Sequence, residues 1–341
     1  MKTLVAVLTF FFLFTSASFI QPFIQFDVYG AENVSVPVVK KVHTVDVGKF
    51  PYTVAVSPDG AFVYVVNGGS GNVSVIRTSD NKVINTVDLR PSILVGMAVS
   101  PDGAFVYVTN TVTARPSGEV VIIRTSDNKV VDTVDVGISS HGVAASPDGA
   151  FVYVTNSSSH NVSVIRTSDN KVVDTVDVGE FPNGVAVSPD SALVYIVNSG
   201  SGDVSIIRTS DNKVVDTVDV GGTPIRAAVS PDGSFLYVTN VANKNVSIIR
   251  TSDNKVVDTI DVKGEPIAVA VSPDGAFVYA SNRNNGFLSI IRTSDNKVID
   301  TEYFRGSSFG VAVSPDGALV YVTHSYPGNL YIYNTNLGHK F

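Results

Sequence analysis

Residues 142–179 read GVAASPDGAFVYVTNSSSHNVSVIRTSDNKVVDTVDVG, and versions of this stretch recur along most of the chain. Its tetrapeptide SPDG begins at Ser57, Ser100, Ser146, Ser230, Ser272 and Ser314, with a variant, SPDS, at Ser188. The successive spacings are 43, 46, 42, 42, 42 and 42 residues. A repeat of about 40 residues is typical of solenoids and propellers, so the seven copies constrain the fold more strongly than any single residue does.

Each copy predicts four short strands separated by turns. In the third copy we expect strands at 143–146, 151–156, 162–166 and 172–178, because these segments are apolar, aromatic or β-branched. SPDG suits a tight turn, with proline second and glycine fourth, and Asn170 in the TSDNK turn can adopt a positive φ. No window shows helical periodicity. Four antiparallel strands per copy make a propeller blade, so the predicted fold is an all-β, seven-bladed β-propeller.

The two ends of the repeat region complement each other. The last copy stops after its third strand, at residues 329–333, and lacks a fourth. The segment Lys40–Gly48 (KKVHTVDVG) matches the fourth strand of other copies, such as Lys129–Gly137 (KVVDTVDVG). We therefore expect the N-terminal strand to complete the last blade and close the ring, which leaves no exposed inner edge. Residues 40–341 are predicted to form a single propeller domain.

The second strand of three copies contains the literal sequence YVTN, at residues 107–110, 153–156 and 237–240. Together with the preceding SPDG, these sequences resemble the YVTN family of β-propeller repeats. That family includes archaeal surface-layer proteins and periplasmic bacterial propellers. The resemblance covers about residues 40 to 335 and implies a propeller fold. It implies no particular function, because propellers include both enzymes and inert scaffolds.

The N-terminus has the features of a secretory signal. Lys2 is followed by an apolar core at residues 4–14, and Ser16-Ala17-Ser18 offers a small-residue cleavage site. We predict a signal peptide at 1–18 and a linker at 19–39. A cleavage site near residue 31 and an uncleaved membrane anchor are the alternatives. Either arrangement predicts export, so the propeller is expected to be secreted, periplasmic or on the cell surface.

Composition narrows the possible functions. The 341 residues are 44% hydrophobic and 16% charged, as expected of a globular protein. There are no cysteines, which excludes disulfides, thiolate metal sites and a cysteine nucleophile. The formal net charge of −7 argues against binding to a nucleic-acid backbone.

The copies differ mainly on one face of the predicted ring. Antiparallel order places the SPDG and TSDNK turns together, whereas the more variable loops lie on the opposite face. The position five residues before each SPDG serine illustrates this variation, and with the position after it should ring the mouth of the central channel. We predict a binding site on this face, formed by Tyr52, His141, Asn183 and Phe309 at the first position, Arg226 at the next, and Arg115 in the loop at 111–118. Neutral drift of surface loops is the alternative explanation for this variation.

Side chains with catalytic potential are few. The five histidines form no HxxxH or HExxH pattern and are expected to be solvated loop residues. The arginine that ends the third strand in six copies, from Arg77 to Arg292, is expected to form a structural ion pair. Arg226 is unique at its position, and with Arg115 and Arg283 it suggests an anion preference for the variable face. We predict no catalytic residues, no metal and no cofactor.

The predicted function is therefore that of an exported, non-catalytic propeller serving as a binding or structural module, as in a surface layer. Its partner would be a protein, a cell-envelope component or a small ligand at the variable face. Any membrane association would depend on an uncleaved N-terminal segment. The alternative is a propeller enzyme or electron-transfer subunit of the lactonase, lyase or dehydrogenase type. That alternative requires catalytic or metal-binding groups to converge at the channel mouth.

Overall fold

The computed structural model describes residues 39–89, 93–111, 117–284, 286–304 and 306–335. These residues contain 28 β-strands and one short 3-10 helix, Ser157–Ser159. The strands form seven antiparallel sheets of four strands each. The predicted all-β, seven-bladed propeller is therefore confirmed.

Six blades are each formed from four consecutive strands. Blade 1 contains β2 (Pro51–Val56), β3 (Phe62–Asn67), β4 (Asn72–Arg77) and β5 (Lys82–Asp88). Blade 2 contains β6 (Ile93–Val99), β7 (Phe105–Thr111), β8 (Gly118–Arg124) and β9 (Lys129–Asp135). Blade 3 contains β10 (Ser140–Ala145), β11 (Phe151–Asn156), β12 (Asn161–Arg166) and β13 (Lys171–Asp177). Blade 4 contains β14 (Pro182–Val187), β15 (Leu193–Asn198), β16 (Asp203–Arg208) and β17 (Lys213–Asp219). Blade 5 contains β18 (Pro224–Val229), β19 (Phe235–Asn240), β20 (Asn245–Arg250) and β21 (Lys255–Asp261). Blade 6 contains β22 (Pro266–Val271), β23 (Phe277–Asn282), β24 (Phe287–Arg292) and β25 (Lys297–Tyr303).

Blade 7 joins the two ends of the described chain. It contains β26 (Ser308–Val313), β27 (Leu319–His324), β28 (Asn329–Asn334) and the N-terminal strand β1 (Lys40–Asp46). In the β1–β28 pair, Val45 lies opposite Leu330, and Asn329 Nδ2 donates to Asp46 Oδ1 at 2.5 Å. The predicted closure by the N-terminal strand is confirmed.

The repeated turns have a local chemical cause. In the first copy, Ser57 Oγ donates to the Asp59 carboxylate and accepts from the Phe62 N–H at 2.9 Å. Asp59 Oδ1 also accepts from the Ala61 N–H at 2.9 Å. These bonds favour the carboxylate, and the hydrogen bond from Ser57 is the main reason the pKa of Asp59 is lowered. Asn170 has φ of 53°, as predicted for the TSDNK turn.

The YVTN residues join strands and blades. In blade 3, Thr155 Oγ1 accepts from the Gly142 N–H at 2.7 Å and donates to the Asn183 carbonyl of blade 4 at 2.8 Å. Asn156 Nδ2 donates to Asn161 Oδ1 and Ser163 Oγ, each at 2.9 Å, which fixes the hairpin between the second and third strands. The motif therefore stabilises both a blade and its contact with the next one.

The hydrophobic core consists of clusters between adjacent blades. One such cluster packs Val162 and Val164 of blade 3 against Val194, Ile196 and Ile207 of blade 4. Hydrogen bonds at the periphery reinforce four of these junctions, because an asparagine in the TSDNK turn donates to an aspartate on the outer strand of the preceding blade. These pairs are Asn170–Asp132, Asn212–Asp174, Asn254–Asp216 and Asn296–Asp258.

The predicted signal peptide at 1–18, its alternatives and nearly all of the linker at 19–39 lie outside the described residues and stay predictions. Across the described ranges, no helix has the length and hydrophobicity needed to cross a bilayer.

Candidate ligand-binding site at the channel mouth

A central cavity of about 190 Å³ is lined by the first strands of all seven blades. In six blades the lining residues start four or five positions before the SPDG serine, where the sequence predicted the channel mouth, and in blade 4 the lining residue is Val185, three positions before Ser188. They include Tyr52, Arg226 and Phe309 of the predicted site, together with the small residues Gly96 and Gly142. The cavity thus lies on the face of the ring where the sequences of the copies differ.

An apolar ring of residues, one position after Arg226 and its equivalents in the first strands, also lines the cavity. Sequence analysis did not single out this ring, although its position is apolar in every copy and so carried the signal. Its members are Val54, Met97, Val143, Val185, Ala227, Val269 and Val311. Most of these side chains are buried against the blades. A ligand in the cavity would therefore also contact apolar atoms of this ring.

Arg226 is the charged residue in the described lining of this cavity. Its Nη1 donates to Asn183 Oδ1 at 2.6 Å. Arg226 is half-buried, and desolvation of its guanidinium lowers the pKa of Arg226 to about 10. The group therefore remains positively charged at neutral pH, in a place where its charge is poorly solvated.

His141 lies beside this pair. Its imidazole interacts with the Asn183 side chain, and its Nδ1 has no hydrogen-bond partner among the described residues. Burial, followed by the nearby charge of Arg226, lowers the pKa of His141. The imidazole is therefore neutral at pH 7, and Arg226 supplies the positive charge of the cluster.

Two aromatic rings form another part of the cavity wall. Tyr52 of blade 1 and Phe309 of blade 7 contact each other edge to face, with ring centroids 5.0 Å apart. Beside them, Thr53 Oγ1 donates to the Val95 carbonyl at 2.6 Å, so its hydroxyl is engaged within the scaffold. The cavity lining thus combines the cationic Arg226 with the aromatic surface of Tyr52 and Phe309.

The other predicted arginines do not contribute to this cluster. Arg115 lies outside the described residues and stays a prediction. Arg283 forms an ion pair with Glu265 at 3.0 Å, which neutralises its charge locally. The arginines that end the third strands pair with the aspartate of the following turn, as in Arg166–Asp169 at 2.7 Å. The predicted structural role of that repeated arginine is confirmed.

The expectation that the histidines are solvated loop residues is wrong for His324. This residue ends β27, is fully buried and stacks on Tyr331 with ring centroids 4.8 Å apart. It occupies the position that asparagine holds in the other blades, and aromatic packing in blade 7 explains its burial. His160 is structural in another way, because its Nδ1 accepts from the Phe181 N–H at 3.0 Å. Where the structure describes the chain, no three His, Cys, Asp or Glu side chains cluster as metal ligands would.

The opposite face contains larger crevices between blades. Two of them, of about 540 and 360 Å³, are lined by residues of the SPDG and TSDNK turns. Ser57, Asp59 and Tyr64 line the first, and the equivalent Ser100, Asp102 and Tyr107 line the second. Because the same residue types recur from blade to blade, these crevices belong to the scaffold and offer no distinctive chemistry.

Fold and cavity together define the class as a seven-bladed β-propeller with a polar, partly aromatic channel mouth. No protein-family model matches the chain, and no curated protein matches its sequence. Solved structures with a similar fold include a Kuenenia stuttgartiensis hydrazine synthase chain, with a TM-score of 0.78 and 22% identity over 87% of this chain and 98% of that one. Another is the Cps50 (Swd1) β-propeller domain of Myceliophteria thermophila, with a TM-score of 0.74 and 13% identity over 87% and 99% of the two chains. At these identities the likeness shows the fold alone.

Proposed function

We propose that this protein is an exported, non-catalytic β-propeller that serves as a binding or structural module, with its ligand site at the channel mouth. The proposal rests chiefly on Arg226, which lines the cavity, and on Asn183 and His141, which lie beside it. Rigid propellers usually place their specific contacts in loops and strand ends at one face. The resemblance to YVTN repeats and the N-terminal sequence support a location at the cell surface or in the periplasm.

The chemistry of the cavity supports binding over catalysis. General acid–base catalysis needs a pair of titratable groups in contrasting environments, and nucleophilic catalysis needs a nucleophile beside a base. The described lining contains no Asp, Glu, Ser, Cys or Lys. The hydroxyl groups of the described lining belong to Tyr52 and Thr53, and Thr53 Oγ1 donates to the Val95 carbonyl within the scaffold. Arg226 stays protonated at neutral pH, so no nucleophile stands beside a base in the described lining, which favours binding over catalysis.

A ligand screen by thermal shift tests the proposal. Wild-type protein and the double variant His141→Ala, Arg226→Ala are incubated with metabolites, envelope saccharides and metal ions. We expect a hit that raises the Tm of the wild type and not that of the double variant. Each hit is then recovered and analysed by mass spectrometry, and an unchanged ligand is expected. Chemical conversion of the ligand, or hits that bind both proteins equally, would contradict the proposal.

Export is tested separately. The full chain is expressed from residue 1 in a host with a secretion pathway, the cells are fractionated, and the mature protein is sequenced from its N-terminus. We expect the propeller outside the cytoplasmic membrane, with a new N-terminus after residue 18 or near residue 31. Recovery of uncleaved chain in the cytoplasm would refute the proposed location.

A further inference from the structure

Arg226 occupies a position at which glycine is the most frequent residue among the seven copies. Four of the seven copies have glycine there, including Gly96 and Gly142. A Cβ at Gly96 would lie 2.1 Å from the carbonyl oxygen of His141, and one at Gly142 would lie 2.3 Å from that of Asn183. Adjacent first strands therefore approach too closely for a side chain at these two positions, whereas the copies with Thr53 and Ala268 accept one. Arginine is the one charged residue among the seven, and departures from a local pattern concentrate at functional sites.

One backbone hydrogen bond of blade 5 is longer than in the blades that have glycine at this position. The N–H at this position lies 2.7 Å from its threonine Oγ1 in blades 2, 3 and 7. In blade 5 the distance from the Arg226 nitrogen to Thr239 Oγ1 is 3.1 Å. The bond from Thr239 Oγ1 to the Ile267 carbonyl of the next blade is 3.4 Å, close to the 3.3 Å of its counterpart in blade 7, so this inter-blade bond is not specific to Arg226.

Arg226 also differs from the other described arginines in that it forms no ion pair. Every other arginine in the described ranges forms an ion pair with an aspartate or glutamate. Arg226 has no carboxylate within ion-pair distance in those ranges, where its guanidinium donates to the neutral amide of Asn183. An enclosed charge without a counter-charge is destabilising unless another group compensates it. A guanidinium has five N–H donors in a planar fork, so most of them remain available to a ligand.

The other residues that line the cavity limit the size and polarity of a ligand bound to Arg226. Tyr52 and Phe309 present aromatic surface to the same cavity, and the apolar ring also lines it. The volume of about 190 Å³ is below the usual range for drug-sized ligands, which begins at about 300 Å³. The site therefore suits a small molecule with one polar end and a compact apolar body.

We propose that the channel mouth binds a small organic monocarboxylate whose apolar or aromatic body packs on Tyr52 and Phe309. This inference rests on the proposed function and names the class of its ligand. The carboxylate pairs with the guanidinium of Arg226, and two oxygens match the two parallel N–H groups of the fork. One uncompensated positive charge balances a monoanion, whereas a phosphate or sulfate dianion would bring excess negative charge into a cavity lined in part by apolar side chains.

Isothermal titration calorimetry with benzoate and its neutral isostere benzamide tests the assignment, with acetate and sulfate as further probes. We expect benzoate to bind, acetate to bind more weakly because it lacks the ring, and benzamide and sulfate not to bind measurably. Saturating benzoate at about 100 times its Kd should raise the Tm by about 2–4 °C. Benzamide binding as tightly as benzoate, or a preference for sulfate or acetate, would overturn the monocarboxylate assignment.

Two variants locate the site. Arg226→Met keeps a long side chain and removes the charge, so benzoate affinity should fall at least about tenfold. Arg283→Gln removes an exposed arginine that already pairs with Glu265, and it should leave the affinity unchanged. Circular dichroism and the apo Tm of each variant verify folding. Folded Arg226→Met that binds benzoate like the wild type would place the site elsewhere.

The outcome also separates this inference from the proposed function. If aromatic carboxylates fail to bind but the broader screen yields another ligand that depends on Arg226 and His141, the binding module stands and the ligand class is wrong. If no ligand binding depends on these residues, both proposals fail.

Discussion

Nη1 of Arg226 donates to Oδ1 of Asn183 at 2.6 Å, and this contact joins the first strands of blades 5 and 4 across the mouth of the channel. The two residues are 43 positions apart, close to one repeat, and both depart from the small or apolar residues typical of the first strands. Their contact therefore forms a specific polar site within the ring of variable residues at the channel mouth. The guanidinium of Arg226 also lacks a counter-charge among the described residues, so stability and binding should oppose each other here.

Replacing Arg226 by glycine should stabilise the ligand-free protein. The change removes an enclosed charge that lacks a counter-charge and restores the residue that other blades use at this position. We expect calorimetry to show a rise in Tm of about 2 °C or more. Gly142→Ala is the matched opposite change, because its Cβ would meet the Asn183 carbonyl, and it should cost about 1–3 kcal/mol. A lower Tm for Arg226→Gly would mean that the arginine is structural.

Acidification should strengthen carboxylate binding through His141. Burial and the charge of Arg226 lower the pKa of His141, so the imidazole is neutral at pH 7 and becomes protonated only under more acidic conditions. Benzoate stays ionised above about pH 5. We expect the affinity for benzoate to be constant from pH 8 to 6.5 and to rise about fivefold at lower pH. Protonated His141 adds one charge interaction, which contributes ~1 kcal/mol to binding. Titration calorimetry on the wild type and His141→Gln measures this, and the variant should show no rise.

The same shift has the opposite effect on the stability of the free protein. An unfolded histidine titrates near pH 6.5, and the folded pKa is lower, so the unfolded chain binds the proton more readily as the pH falls. The apo Tm should therefore decline below pH 6.5 more steeply in the wild type than in His141→Gln. Parallel pH profiles for the two proteins would show that His141 is not held in its neutral form.

The peripheral bond between Asn212 and Asp174 should stabilise the junction of blades 4 and 3. Asn212 Nδ2 donates to Asp174 Oδ2 at 3.0 Å. Asn81 is the matched control, because its φ of 54° equals that of Asn212 within a few degrees. The residue equivalent to Asp174 on the outer strand next to Asn81 is His43. Among the described residues Asn81 makes no bond of this kind. Glycine at either site relieves the positive φ equally. Chemical denaturation should show Asn212→Gly less stable than Asn81→Gly by about 0.5–1.5 kcal/mol; equal stabilities would mean that the bond contributes nothing.

Removal of β1 should open the ring. A chain that begins at residue 48 leaves β28 as an exposed edge and uncovers Leu330 and Ile332, which are buried in the closed blade. Exposed edges pair with other chains, so size-exclusion chromatography should show oligomers or aggregates together with a lower Tm. A peptide of sequence KKVHTVDVG, added in trans, should restore the monomer by strand addition. A scrambled peptide is the control, and a truncated chain that stays monomeric with an unchanged Tm would contradict the role of β1.

Much of the architecture could be predicted from the sequence. The period of SPDG, the alternation of apolar segments and turns, and the match between KKVHTVDVG and the missing fourth strand were sufficient for seven blades and their closure. The prediction was reliable because each strand and turn is encoded within one copy. Bonds such as those from Ser57 and Asp59 to their own turn involve residues at most five apart. Strand ends moved by up to three residues, as where β10 begins at Ser140.

For the binding site, the sequence predicted only that its residues belong to a ring of variable positions at the channel mouth. The variable position before SPDG drew attention to Tyr52, His141, Asn183 and Phe309, but it did not indicate which of them meet. Tertiary structure decided that Arg226 contacts Asn183, that Arg283 is neutralised by Glu265, and that His324 is buried. The physical reason is distance along the chain. Turn chemistry is local, whereas the partners of a side chain in the channel belong to other blades and are fixed only when the ring closes.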